Sequence, residues 1–591
     1  MQKVVVIKKD DSIYPDRSDL FRPHEAYPEY PFSQNVSKGT NDVYEMIREA
    51  FASLGLDKDN FGSEQWNPLG KYVFPGDNVL IKPNLVMDIN YNERGGTECL
   101  YTQPSVVAAI IDYVIIALKG SGKIIVGDAP LQECVFDNLV SSSGYTDLID
   151  FYKTMGVDIS LADFRNTKTV IEGKVHREQK NEGNADNGVL VKFDKDSAFN
   201  EFDEDKIKRL RVTNYDPRIL QEHHKVKKHE YLIAKKVLDA DVIINVPKPK
   251  THRKAGITAA LKNLIGINAC KEYLPHHTNG SADEGGDCYK HTNPELQKAN
   301  ELLDKKNMLI TEHKYDEARA AIDEFEKHLQ DGRGVHGERY WEGSWYGNDT
   351  IWRTIADLNR ILVYADKSGK ICDTKQRRYF AVGDMVVSGH REGPLHPSPI
   401  DAHTIVAAED PLAFDRTVCA IMGFDYHLVS SLNGRFITDG RLIIANNEEP
   451  IICSNNDVWD GKKPSEITKE DSIKFIPSQG WECVLGNPLK AEFVKRIKDS
   501  RKPVIMFGAG KYGTLMAGYL CDDAMDIDVE CFFDSDPSKW GKKVFGNIEC
   551  REPKNVGGAY VCVICALARN IPDIEKSAVQ YGFADIICFP K

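Results

Sequence analysis

The stretch from Asp241 to Gly266, DVIINVPKPKTHRKAGITAALKNLIG, most constrains what this chain can fold into. Val242, Ile243, Ile244 and Val246 form an apolar run without one-sided alternation, which predicts a strand buried on both faces of a parallel sheet. Pro247 and Pro249 end the hydrogen-bond ladder and keep the following residues extended, so Lys248, Lys250 and His252 are expected just past the strand's C-terminal end. Ligands of open α/β sheets bind at that edge. From Gly256 the pattern turns helical, with Thr258 as the expected N-cap, Ala259, Ala260 and Leu261 as helix formers, and Lys262 and Asn263 one turn in. Lysines, an imidazole and helix N–H groups in one small volume make an anion site. The competing reading is a solvated loop whose charges only cap a strand and a helix.

The same logic recurs elsewhere in the chain. Val79 to Ile81 read as a short buried strand that delivers Lys82, Pro83 and Asn84, and Lys82 there serves equally well as an anion ligand or as half of a structural ion pair. A helix is expected from Pro104 to about Lys119, followed by a strand from Lys123 to Val126 that runs into Gly127 and Asp128. A right-handed βαβ crossover sets both strand ends on one edge, so Lys82 and Asp128 are expected to share a cleft. Phe380 to Val382 form a further strand that exits into Asp384, and His390, Arg391, Glu392 and His396 follow in a Gly/Pro-rich loop. Between these segments, His276, His277 and Asp283 lie in a glycine-rich polar loop; with Asp384 they are the candidate metal ligands, against the reading of an ordinary loop. The cluster His223, His224 and His229 has no acid or thiol at ligand spacing and reads as a solvated face.

These motifs carry a family resemblance. KPNLV at 82–86, PKPKTH followed by GITAALKNLIGI at 247–267, and GD, EGP and DPLAFD between 383 and 415 resemble the signatures of the domain of unknown function 362 family. The resemblance covers about residues 3–430 and implies membership, not a reaction. Some relatives carry iron–sulfur clusters on a ferredoxin-like run of cysteines; the fourteen cysteines here are scattered and form no such run. A more distant likeness, to the nickel-pincer lactate racemase family, rests on a buried strand followed by a histidine and a lysine-bearing segment, but Thr258-Ala259-Ala260 stands where that family is richer in glycine.

After Arg501, PVIMFGAGKYGTLMAGYL reads as strand, glycine loop and helix, with Gly508, Gly510 and Gly513 spaced as in a dinucleotide-binding turn and Asp534 at the end of the next strand, where an acid meets a ribose hydroxyl. This segment is similar to small Rossmann-like domains attached to polysaccharide-pathway enzymes. Cys562 and Cys565 sit in an apolar run and read as core thiols.

A chain of 591 residues needs several cores. The expected architecture is multi-domain α/β: a parallel-sheet core in two parts, 1–275 and 341–430, a loop and helical-hairpin insertion at 276–340, a small partly β linker at 431–498, and a Rossmann-like unit at 499–591. A net charge of −13 argues against nucleic acid as a partner, and no apolar run reaches the ~20 residues of a membrane span, so a cytoplasmic location is expected.

The function expected from this pattern is an enzyme acting on an anionic, hydroxyl-bearing small molecule, a sugar acid or activated sugar, with metal-assisted acid/base chemistry in surface-polysaccharide metabolism. In that reading Lys82, Asn84, Lys248, Lys250, Lys262 and Asn263 bind the substrate, while His252 and Asp128 or Glu392 act as the acid/base pair. The cofactors it would use are a divalent metal and a nucleotide, NAD or a nucleotide sugar. The alternatives are a non-catalytic nucleotide or metabolite sensor and, further off, a redox or iron–sulfur-associated protein.

Overall fold

The computed structural model describes residues 2–172, 175–183, 188–334, 338–435, 437–438 and 440–590. The chain divides into two compact units, one made of Met1–Thr278 with Asp349–Ser478, the other of Asn279–Asn348 with Gln479–Lys591.

The first unit is built on a ten-stranded sheet. In chain order its strands are β1 (Lys3–Lys8), β2 (Asn78–Pro83), β3 (Lys123–Asp128), β4 (Ile159–Asp163), β5 (Val242–Val246), β6 (Lys250–His252), β7 (Gly256–Thr258), β8 (Arg378–Glu392), β9 (His396–Ala408) and β10 (Ile451–Ser454). The spatial order is β10-β1-β9-β8-β5-β2-β3-β4, with β6 and β7 extending from β8. The run β8, β5, β2, β3, β4 is parallel throughout, so the C-terminal ends of these strands share one edge. The fold is thus α/β with a large, predominantly parallel sheet, as the apolar residues of β5, broken only by Asn245, imply. All five residues of β5 are buried.

Alternation sorts the side chains of this sheet between two layers. Val79, Ile81, Val242, Ile244, Val246, Phe380 and Val382 join a single apolar core with the helices Asp42–Ser53 and Pro104–Leu118. Each large apolar side chain buried there contributes about 1.5–3 kcal/mol. On the other face, Asn245 donates to Ala260 O (2.8 Å) and to the Tyr379 hydroxyl (2.8 Å), and Asn359 of the helix Ile351–Tyr364 donates to Leu261 O (2.9 Å).

Several local readings differ from the sequence. The helix expected after Gly256 is a single turn, Ala260–Asn263, and Thr258 belongs to β7. The cap comes instead from Asp415, remote in sequence, which accepts from Ala260 N (2.6 Å) and Leu261 N (3.1 Å). The Gly/Pro-rich segment after Ser388 is not a loop: β8 and β9 form a long hairpin that pairs Glu392 with His396. His224 and His229 are buried and 3.1 Å apart through their Nδ1 atoms, not a solvated face, because the segment Lys228–Ile233 is a strand.

In the second unit, β11 (Val504–Phe507), β12 (Val529–Phe533), β13 (Lys543–Phe545), β14 (Ile548–Arg551), β15 (Val561–Ala566) and β16 (Asp585–Pro590) form a sheet in the order β13-β14-β12-β11-β15-β16. The helices Pro294–Thr311 and Tyr315–Gly334 form the expected hairpin and belong to this unit. Asp522 joins its two chain segments by accepting from Tyr340 and from Tyr346 (2.9 Å). Cys562 and Cys565 are buried in β15, as core thiols are.

Candidate functional site

The shared strand edge places Lys82 against Asp128, with Nζ 2.7 Å from Oδ1 and both side chains buried. Asp128 also accepts from Ala129 N (2.9 Å) and Leu85 N (2.7 Å), while Lys82 donates to Asn263 Oδ1 (3.3 Å) and Pro83 O (3.2 Å). Removing either partner would strand the other charge out of water. The pair closes on Gly266: a Cβ there would stand 1.8 Å from Asp128 Oδ1 and 2.8 Å from Lys82 Nζ, so the glycine of NLIG is set by close approach.

One strand over, a second buried pair joins Lys248 to Asp384 (3.0 Å). Tyr14 donates to Asp384 Oδ1 (2.6 Å) and accepts from Lys248 Nζ (2.7 Å), and Gln103 N, at the start of the helix Pro104–Leu118, donates to Asp384 Oδ2 (2.8 Å). The hydroxyl of Thr102 stitches the two strand ends together: it donates to Val246 O (2.7 Å) and accepts from Asn84 N (3.0 Å).

Three further lysines lack such a partner. Among the described residues no carboxylate lies within ion-pair distance of Lys250, Lys262 or Lys271; Lys250 donates to Leu100 O and Lys271 to Ala129 O (2.7 Å). Burial first, then the neighbouring cations, depresses their ammonium groups: Lys250 and Lys262 fall to about 7 and Lys271 to about 8. Lys262 is half-buried and is repelled by Lys271, Lys254 and Lys82, so these ammonium groups crowd one volume.

His252 belongs to the same cluster. Its Nδ1 accepts from Lys254 N (3.1 Å) and Ala255 N (3.2 Å), which fixes the neutral tautomer with hydrogen on Nε2. Burial, reinforced by the charges of Lys262 and Arg253, holds its pKa well below the ordinary imidazole range. At neutral pH this ring is a hydrogen-bond donor.

The residues expected to act with His252 are placed differently from one another. Both carboxylate oxygens of Asp128 are engaged by Lys82 and the backbone. Glu392 is exposed at the tip of the β8–β9 hairpin, beside β6: Arg391 O accepts from the Thr251 hydroxyl (2.8 Å) and Gly393 O from Arg253 N (3.0 Å).

The four candidate metal ligands do not converge. Asp384 is held by Lys248, Tyr14 and Gln103, His276 donates from Nδ1 to Leu274 O (2.6 Å), and Asp283, in the second unit, pairs with His291 (3.3 Å). Among the described residues no three His, Cys, Asp or Glu side chains group as a metal site needs. His277 keeps a buried Nδ1 without a partner, as do Asn84 Oδ1 and Ser388 Oγ.

In the second unit Gly508 adopts φ +109°, and a Cβ on Gly513 would stand 2.1 Å from Gly508 O, so both positions require glycine; Gly510 faces open space. Asp534 accepts from Ala509 N (2.7 Å) and Lys539 Nζ (2.8 Å), which ties it to the loop itself.

Tyr14, Thr102, Asn245, Lys254 and Lys271 join the site without being marked as site residues by the local pattern, and Asp415 is marked only as the last residue of DPLAFD. Lys271 was within reach, four residues after the last signature residue, Ile267. Tyr14 and Asp415 join the site from segments far away in sequence.

The family model described as domain of unknown function (DUF362) matches residues 79–183 and 195–420, more than half of the chain. A thylakoid-associated protein of Synechocystis sp. is 27% identical over 198 residues, a segment that covers 34% of this chain and 41% of that protein. The matched segment thus spans about two fifths of that relative's length. No helix among the described residues is long and apolar enough to cross a membrane. With its matched residues holding both buried ion pairs and the lysine cluster, this chain belongs to the DUF362 family.

Proposed function

We propose that the lysine cluster binds a small, anionic, hydroxyl-bearing molecule, such as a sugar acid or activated sugar, and that the protein is an enzyme that acts on it by proton transfer. The observation that carries this reading is the set of Lys250, Lys262 and Lys271, gathered in one volume with no carboxylate in ion-pair distance. Concentrating unbalanced cations is costly unless an anion completes the site. The buried ion pairs Lys82–Asp128 and Lys248–Asp384 frame the cluster.

Within this proposal the roles shift from those the residue types imply. Lys262, half-buried and near neutral in pKa, is the group suited to give and take a proton at physiological pH. His252, a neutral N–H donor, would hold a substrate oxygen and stabilise charge that develops on it. Asp128 opposes the effect of burial on the Lys82 ammonium and holds it in place.

A thermal-shift panel of sugar acids and nucleotide sugars tests this. At least one should raise the melting temperature of the wild type, with the shift reduced in Lys262→Met and in His252→Ala. If no member stabilises the protein, or both variants respond as the wild type does, the assignment fails.

A second reading, a nucleotide-binding or sensing role within polysaccharide metabolism, draws on the glycine loop Gly508–Gly513. Its support is that Gly508 and Gly513 are required by backbone geometry and Gly510 faces open space. Asp534 would then shape the loop, since its carboxylate is already held by Ala509 N and Lys539.

A further inference from the structure

A separate cavity of about 540 Å³ opens in the first unit near the N-terminal ends of β5 and β8, lined among others by Asp241 and Arg378. Its volume is in the range of small-molecule sites. Leu264, Leu362, Val363 and Ile444 give it an apolar wall, and Tyr379 and Lys375 contribute polar groups.

Most charges on this cavity are already matched. Lys71 pairs with Glu409 (2.7 Å), Arg378 with Asp77 (2.8 Å) and Asp241 with Lys367 (3.5 Å). The guanidinium of Arg377 donates to the backbone oxygens of Val237 (3.1 Å), Leu238, Leu362 (3.0 Å) and Ala365 (2.5 Å). Lys375 differs: it is exposed, it donates to Ile444 O at 3.4 Å, and among the described residues it has no other hydrogen bond and no acid pairs with it.

Tyr379 also has something to offer. Lys82 donates to Asn263, Asn263 to Asn245 Oδ1 (2.7 Å), and Asn245 to the Tyr379 oxygen (2.8 Å). The phenol therefore accepts from the protein and keeps its own hydrogen for another partner; among the described residues nothing accepts it. Burial raises its pKa, so the phenol stays protonated. From an apolar wall, one unbalanced cation and one unspent O–H donor, we infer that this cavity is a second ligand site, for a small amphipathic carboxylate.

The site can be tested on the whole protein by fluorine NMR with 4-(trifluoromethyl)benzoate as the probe and 4-(trifluoromethyl)benzyl alcohol as its uncharged counterpart. The benzoate should bind saturably, with affinity reduced about tenfold or more in Lys375→Glu and several-fold in the near-isosteric Tyr379→Phe, as expected for charge-assisted and neutral hydrogen bonds. Lys375→Arg should retain binding, and the alcohol should bind about tenfold more weakly than the benzoate. Lys375 is exposed, so charge reversal there leaves the fold intact, which circular dichroism checks. No saturable binding by the wild type, equal binding by Lys375→Glu, or binding abolished by Lys262→Met but not by Lys375→Glu would each overturn the inference.

Discussion

At the scale of single residues, the structure turns on how buried charges are matched. Lys82 and Asp128 satisfy each other at 2.7 Å, so Asp128→Asn leaves a buried ammonium uncompensated and should cost about 3–5 kcal/mol in urea unfolding. Gly266→Ala should destabilise through the same pair, by about 1–3 kcal/mol or more, since its Cβ would enter contact distance of both side chains. A loss below about 0.5 kcal/mol for both variants would mean the pair is dispensable. The lysines without acids add a pH dependence. Their pKa is lower in the folded state than the ordinary 10.5, so the folded protein binds fewer protons than the unfolded chain from about 7 up to that value. Their contribution to stability is therefore lost progressively as pH falls from about 10.5 and is fully lost below about 7, and an anion that keeps them protonated should restore it.

At the scale of elements, the site is made by short segments held from outside. The one-turn helix Ala260–Asn263 is far below the length that is stable by itself, and Asp415 supplies what its sequence lacks. Asp415→Ala leaves two buried N–H groups without an acceptor and should cost about 2–6 kcal/mol by denaturant titration; a cost under about 1 kcal/mol would show that water replaces the cap. Burial raises the Asp415 carboxyl to about 8, above its ordinary 3.8, so the folded state holds its proton longer than the unfolded chain does. The stability of the wild type relative to Asp415→Asn should then decline as pH rises across that window. The same contrast explains what was legible in the sequence. The apolar strand Val242–Val246, the helices after Asn41 and Gln103, and the strand-end placement of Lys82 and Asp128 follow from local pattern, and the structure matches them. The one-turn helix, the hairpin at Gly389–Ser398 and the buried His224–His229 contact depend on partners distant in the chain, which no local period reports. The position of Lys248 and Lys250 past a strand end was legible but not their burial, because burial of a lysine is decided by what packs around it.

At the scale of the whole molecule, the second unit is discontinuous: Asn279–Asn348 belongs with Gln479–Lys591. Tyr340 and Tyr346 from the first segment meet Asp522 from the second, and Lys290 pairs with Asp523 (2.9 Å). A protein that joins 279–348 to 479–591 through a short linker should fold cooperatively, while 479–591 alone should be less stable or aggregate; equal melting temperatures for the two would show that the first segment is not part of that fold. In the first unit, the unbalanced lysines form the proposed anion site. Calorimetric titration with D-glucuronate and with inorganic phosphate, at about pH 6 and about pH 8, tests it most directly, because the two conditions bracket the depressed lysine pKa values of about 7. Saturable D-glucuronate binding that tightens as pH falls is expected, with a smaller pH dependence in Lys262→Met, where Lys250 and Lys271 still titrate. Absence of binding to both anions at the lower pH, or binding that is indifferent to pH and to Lys262, would contradict it.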